Sequence, residues 1–112
     1  MAQRPRKLKL VYSRRALAVL DEIWSWTGGR FGIRQAESYN TFLTKNTDGL
    51  AANPLIGRII DSSPQYRYLV LKLRKQGHGH LVVYQVHDDF VEVLTYYHTA
   101  QDWKTKIARE EW

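Results

Sequence analysis

The apolar residues of this chain change period twice, and that change constrains what it can fold into. In residues 7–12, "KLKLVY", Leu8, Leu10 and Tyr12 alternate with Lys7 and Lys9. This is the two-residue period of a strand with one wet face. At Ser13 the period lengthens. Ala16, Leu17, Leu20, Ile23, Trp24 and Thr27 recur at helical spacing, Ser13 suits the N-cap, and Gly28-Gly29 is expected to end the helix. A second helix is expected from about Ile33 to about Ala52, with Ala36, Tyr39, Leu43 and Leu50 as its apolar stripe and Asn53-Pro54 as its stop. Only Arg30 to Gly32 would separate the two, which predicts an antiparallel hairpin. Residues 55–65 read as loop. After Pro64 the two-residue period returns in "YRYLVLKL" (66–73), "HLVVYQV" (80–86) and "FVEVLTYY" (90–97). The short turns "RKQGHG" and His87-Asp88-Asp89 join these into an antiparallel meander. Residues 99–112 predict a short amphipathic helix, with Trp103 and Ile107 one turn apart.

The fold class is therefore α+β: a β-α-α-β-β-β two-layer domain, with the helical hairpin packed on an antiparallel sheet and a short C-terminal helix as an option. The other sheet face can stay in solvent, and a site would be built there. At 112 residues a single domain over 1–112 is expected. Cysteine is absent, which excludes a disulfide scaffold, a thiol nucleophile and a thiolate zinc site. The apolar runs are too short for a membrane span, and the basic N-terminus lacks the apolar core of a signal peptide, so a cytoplasmic location is expected. The net charge is +6, and Arg4, Arg6, Lys7, Lys9, Arg14 and Arg15 precede the first acid. That balance favours a polyanionic target or an acidic protein partner.

All four histidines, His78, His80, His87 and His98, lie in the last third of the chain. They do not read as a metal site: His78 and His80 share a strand face, but the nearest acids, Asp88 and Asp89, belong to a turn, and zinc needs three or four converging ligands. Acid–base cleavage of RNA would need a base, an acid and cations for the phosphorane charge. His98, Tyr97, Arg67 and Lys72 could supply them, with His80 and Tyr84 as further candidates. Parity opposes this, because Arg67 and Lys72 fall on opposite faces of one strand and Tyr97 and His98 on opposite faces of another. Tyrosines and histidines on such a sheet more often pack with wet tips. Trp24 and Trp26, two apart on a helix, cannot both face the core.

"FGIRQAESYNTFLTKNTDGLAANPLIGR", "YRYLVLKL" and "GHGHLVVYQVHDDFVEVLTYYHTAQDW" resemble, in order and spacing, the segments of the RelE/ParE toxin superfamily, across about residues 8–103. The long hairpin, Asn-Pro-x-x-Gly-Arg after it and the His-aliphatic-Tyr strand are most like a ParE-type toxin. Where ParE-like chains often carry an arginine before the final histidine, this one reads Thr95-Tyr96-Tyr97-His98, an ending that also occurs in ribosome-dependent nucleases.

The resemblance implies the toxin of a type II toxin–antitoxin module, held in a toxin–antitoxin hetero-oligomer by a cognate ParD-like antitoxin with an acidic segment. In the ParE branch the target is DNA gyrase, and no catalytic residue, cofactor or metal is expected. In the RelE branch the chain would be a ribosome-dependent mRNA endonuclease using Arg67, Tyr97 and His98. A degenerate toxin acting only as a binding module is a third reading. Antitoxin contacts are expected at Arg14, Arg15, Trp24, Trp26, Arg30, Arg34 and Tyr39, and target contacts at Arg67, His80, Tyr97, His98 and Trp103. His78 and His87 read as turn residues.

Overall fold

The computed structural model describes residues 7–74 and 77–112, so Arg4, Arg6 and part of the expected "RKQGHG" turn lie outside the described residues. The elements run β1 (Lys9–Tyr12), α1 (Arg14–Phe31), α2 (Ile33–Asp48), a 3₁₀ turn (Gly49–Ala51), β2 (Arg58–Ile60), β3 (Ser63–Leu71), β4 (His80–Val86), β5 (Phe90–His98) and α3 (Trp103–Ala108). The five strands form one sheet in the order β1-β5-β4-β3-β2. β2, β3, β4 and β5 pair antiparallel, whereas β1 lies parallel to β5, so the sheet is mixed rather than wholly antiparallel. A parallel neighbour needs a long crossover, and the helical hairpin provides part of it.

Ser13 caps α1 as its sequence position suggests, its hydroxyl oxygen accepting from the Ala16 amide at 3.0 Å. The same hydroxyl donates to the Leu94 carbonyl at 2.8 Å and so ties the helix start to β5. Gly28-Gly29 does not end α1. The helix continues to Phe31, and Gly32, at φ 93°, makes the turn alone. Of Gly28, Gly29 and Gly32, only Gly32 adopts the positive-φ backbone that favours glycine; Gly28 lies within α1 facing Ala36, where an added Cβ would make an ordinary contact with the Ala36 Cβ at 3.6 Å. The expected loop 55–65 is also revised. Arg58–Ile60 pairs with Tyr68, Arg67 and Ser63 as an edge strand, and β3 already begins at Ser63. Short edge strands escape pattern reading because three residues carry no period. Lys72 and Leu73, read as strand, lie beyond β3, and Leu73 is exposed.

The hairpin face of the sheet buries Ala16, Val19, Leu20, Leu43 and Leu50 against Leu71, Val82, Tyr84, Val91, Val93 and Tyr96. Leu17 and Trp24, expected in the helix stripe, stay exposed, and Val19 takes the core position instead. In β5 the parity shifts. Val83 pairs with Thr95 and Tyr84 with Val93, leaving Leu94 as the extra residue of a bulge. Val93 and Tyr96 therefore face the hairpin, while Leu94 and Tyr97 face the other side.

That other side is not the open face expected from sequence. Trp103, Ile107 and Trp112 of the C-terminal segment pack over Leu81, Val83, Leu94 and Tyr97. Alternation alone cannot show this, because the cover comes from a segment of six helical residues.

Candidate functional site: a histidine-lined groove

The site forms where the hairpin tip meets one end of the sheet. On the sheet side, His80 starts β4 and His98, its cross-strand partner, ends β5. Their rings lie 5.1 Å apart in an edge-to-face arrangement, and His78, just before β4, lies 5.6 Å from His98. From α2, Tyr39 reaches across so that its hydroxyl and His80 Nδ1 are 2.5 Å apart. From α1 come Glu22, Ile23, Trp26 and Thr27, and from the tip Phe31. Together with Gln35 and Gln101 they line a groove of about 610 Å³.

Burial, with a smaller contribution from His98, lowers the His80 pKa to about 4, so the ring is neutral at pH 7. Burial raises Tyr39 to about 12, so the phenol keeps its proton. A phenol is a better donor than acceptor, which assigns the Tyr39 hydroxyl as donor to Nδ1 and places the His80 ring hydrogen on Nε2. The Ala100 amide donates to His98 Nδ1 at 3.1 Å, so the neutral His98 ring also carries its hydrogen on Nε2. Burial and His78 lower the His98 pKa as well. The groove thus presents aromatic walls and two imidazole N–H donors. Among the described residues no group of three His, Cys, Asp or Glu is arranged to hold a metal ion, and His98 Nδ1 already accepts from the Ala100 amide, which leaves Nε2 as a donor rather than a lone pair.

The residues expected to meet the target fall in three places. His80 and His98 line the groove. Tyr97 faces the tail, where its hydroxyl donates to the Glu111 carbonyl, and Trp103 packs there against Tyr68 with ring centroids 4.8 Å apart. Arg67 is engaged elsewhere: its guanidinium donates to the Gly57 carbonyl at 2.8 Å and to the Leu55 carbonyl at 3.3 Å. The Tyr84 hydroxyl completes that clamp, accepting from the Gly57 amide and donating to the Pro54 carbonyl, both at 2.8 Å. A side chain on Gly57 would collide with this hydroxyl and lie 2.8 Å from the Tyr68 carbonyl. The Asn-Pro-x-x-Gly-Arg stretch is therefore a fixed loop, which leaves Leu55 and Ile56 exposed and closes a groove of about 710 Å³ along α2 over Phe42, Leu50 and Leu69.

The residues expected to meet the antitoxin divide into two groups. Trp24, Trp26, Arg30 and Arg34 lie near the hairpin tip, with the Arg30 guanidinium 5.0 Å over the Trp26 ring. Tyr39 lies one to two turns further along α2. Arg14 and Arg15 stand at the start of α1, roughly 22 Å from Arg30 at the rise of a helix. Trp24 and Trp26 are 37% and 60% exposed, so neither belongs to the core. Sequence reasoning missed Glu22, Phe31, Gln35 and Gln101. The i, i+4 spacing of Glu22 and Trp26 is the one local signal that could have joined one of them to a residue already singled out.

Residues 10–103 match the family described as "ParE toxin of type II toxin-antitoxin system, parDE". The toxin ParE1 of Mycobacterium tuberculosis, from strains CDC 1551 and H37Rv, is 43% identical over 77 residues, covering 63% of this chain and 79% of the relative. The chromosomal ParDE toxin–antitoxin system of P. aeruginosa superposes with a TM-score of 0.68 at 22% identity, covering 81% of this chain and 95% of that one. A two-arginine mutant of E. coli toxin RelE in the free state superposes with a TM-score of 0.60 at 21% identity, covering 93% and 96%. Among the described residues no helix is long and apolar enough to cross a membrane.

Proposed function

The chain belongs to the ParE toxin family of type II toxin–antitoxin systems, and from that premise we propose that it inhibits DNA gyrase in the cytoplasm and is neutralised by a ParD-like antitoxin. One observation supports a non-hydrolytic toxin over an mRNA endonuclease: Arg67, Tyr97 and His98, the set the RelE reading names, do not converge. Arg67 is bound to two loop carbonyls, Tyr97 is turned to the tail face, and His98 lies in the groove on the opposite face. Acid, base and phosphate clamp must lie within hydrogen-bond reach of one scissile group. The likeness to RelE, at 21% identity, carries the fold alone.

In the antitoxin complex, the hairpin tip supplies the anchors. Trp24, Trp26 and Tyr39 provide aromatic area, while Arg14, Arg15, Arg30 and Arg34 steer an acidic segment and make its association salt-sensitive. The test sets wild type beside His98→Ala and Arg67→Ala, first with purified gyrase and then with ribosomes programmed by a defined mRNA. The expected result is inhibited supercoiling with intact mRNA, with inhibition depending on the stretch from Thr95 to Trp103. Cut mRNA that is lost in either variant, with supercoiling untouched by wild type, would establish the nuclease instead.

A further inference from the structure

The histidine groove holds polar groups that the fold itself does not use. Among the described residues, neither His80 Nε2 nor His98 Nε2 has a protein acceptor, while both Nδ1 atoms are engaged. Glu22 on the α1 wall contributes a carboxylate, and Gln35 and Gln101 contribute amides. Trp26, Phe31 and Tyr39 add aromatic surface, with Trp26 and Phe31 60% and 63% exposed. A simple anion would meet the Glu22 carboxylate, and a simple cation would meet two N–H donors. The ligand that satisfies both sets is flat and aromatic, with acceptors on one edge and donors on another.

We propose that this groove binds a guanine base. Guanine presents O6 and N7 as acceptors on one edge and N–H donors on its Watson–Crick edge. The two imidazole N–H groups face the acceptors and the Glu22 carboxylate takes the paired donors. Adenine offers a carboxylate no such donor pair. The Trp26, Phe31 and Tyr39 rings supply stacking surface, which is sequence-tolerant by itself, so selectivity resides in the polar edge. The volume of about 610 Å³ falls in the range of sites for nucleotide-sized ligands. Arg30, its guanidinium 5.0 Å over the ring of groove-lining Trp26, places a cation beside the groove for a phosphate. The base can arrive as a free guanine nucleotide or as an unpaired guanine in a single strand; the chemistry at the groove is the same.

Tryptophan fluorescence and calorimetry of the full chain, titrated with GMP and AMP, test the proposal without gyrase, ribosome or antitoxin, so the result is independent of the toxin's target. GMP is expected to quench saturably and to bind at least about tenfold more tightly than AMP, because a site built around hydrogen bonds rejects a ligand that leaves them unpaired. Glu22→Gln should reduce GMP to the level of AMP, and Phe31→Ala should weaken both. Both residues are exposed, and unchanged far-UV spectra would establish that the variants fold. A short oligouridine with one central guanine separates the sources. Tighter, salt-sensitive binding than GMP indicates a strand, and equal binding indicates the free nucleotide. Equal affinity for GMP and AMP, a guanine preference that survives Glu22→Gln, or no saturable binding at millimolar nucleotide would overturn it.

Discussion

One sheet carries two unlike covers. On the hairpin face, helices of 18 and 16 residues bury a continuous aliphatic core and are joined to the strands by polar contacts such as Thr47 with Tyr96 and Ser13 with Leu94. On the tail face, a helix of six residues rests on Leu81, Val83, Leu94 and Tyr97 largely through Trp103, Ile107 and Trp112. Isolated helices below about 12 residues are marginal in water, so the tail helix exists because it docks, whereas the hairpin brings some helical stability of its own. The two faces should therefore open with different free energies, and the groove lies on the firmer one.

The largest expected effect separates them directly. Leu43 and Ile107 are both fully buried. Leu43→Ala should cost about 2–5 kcal/mol and lower the urea midpoint with the slope unchanged. Ile107→Ala should instead speed hydrogen exchange in Trp103–Ala108 while the hairpin amides keep their protection. If Ile107→Ala lowers the global midpoint as far as Leu43→Ala does, the tail is an integral part of the core and the contrast between the faces fails.

The next effect weakens the firmer face. His80, at the start of β4, lies against Tyr39 of α2 and is faced also by His98, His78 and the Glu22 wall. Its folded pKa, about 4, lies below the unfolded value of 6.5. Between those values the unfolded chain binds more protons, so stability falls as the pH drops from about 6.5 to about 4 and levels off below. His98, lowered by burial and by His78, acts in the same direction. The loss should be on the order of 3 kcal/mol. Urea midpoints across this range should flatten in His80→Leu. An equally steep fall in that variant would place the acid sensitivity elsewhere.

The hairpin face was legible in the sequence because its signals are local and periodic. Ala16, Leu20, Ala36, Leu43 and Leu50 recur at helical spacing and all are buried. The errors lie where a local signal meets a tertiary decision. Gly28-Gly29 looks like a stop, but both glycines stay within α1, Gly28 in ordinary contact with Ala36 of α2, and the chain turns only at Gly32. The bulge at Leu94 leaves no compositional mark, yet it decides that Tyr96 faces the hairpin and Tyr97 the tail. The groove was legible only in part. His80 and His98 were singled out, but their meeting with Tyr39, 41 residues from His80, is a long-range event that no motif announces. The tail cover was hardest to foresee, because an open sheet face and one covered by a short docked segment carry the same alternation.

The smallest effect tests how the tail is held at its end. Trp112 meets Tyr66 of β3 edge-on, with ring centroids 4.8 Å apart. One residue earlier, the Glu111 carbonyl accepts from the Tyr97 hydroxyl. The aromatic pair should contribute about 0.5–1.5 kcal/mol beyond the area it buries. A double-mutant cycle with Tyr66→Leu and Trp112→Leu isolates that coupling, since each leucine keeps apolar volume while removing the ring. Its value should differ between two measurements. Read from exchange of the tail amides, the full coupling should appear, because opening the tail breaks the pair. Read from the urea midpoint, it should be smaller or absent if the tail has already detached before the hairpin core unfolds. Equal couplings in both readings would mean that the two faces unfold together, and the division between a firm cover and a detachable one would be lost.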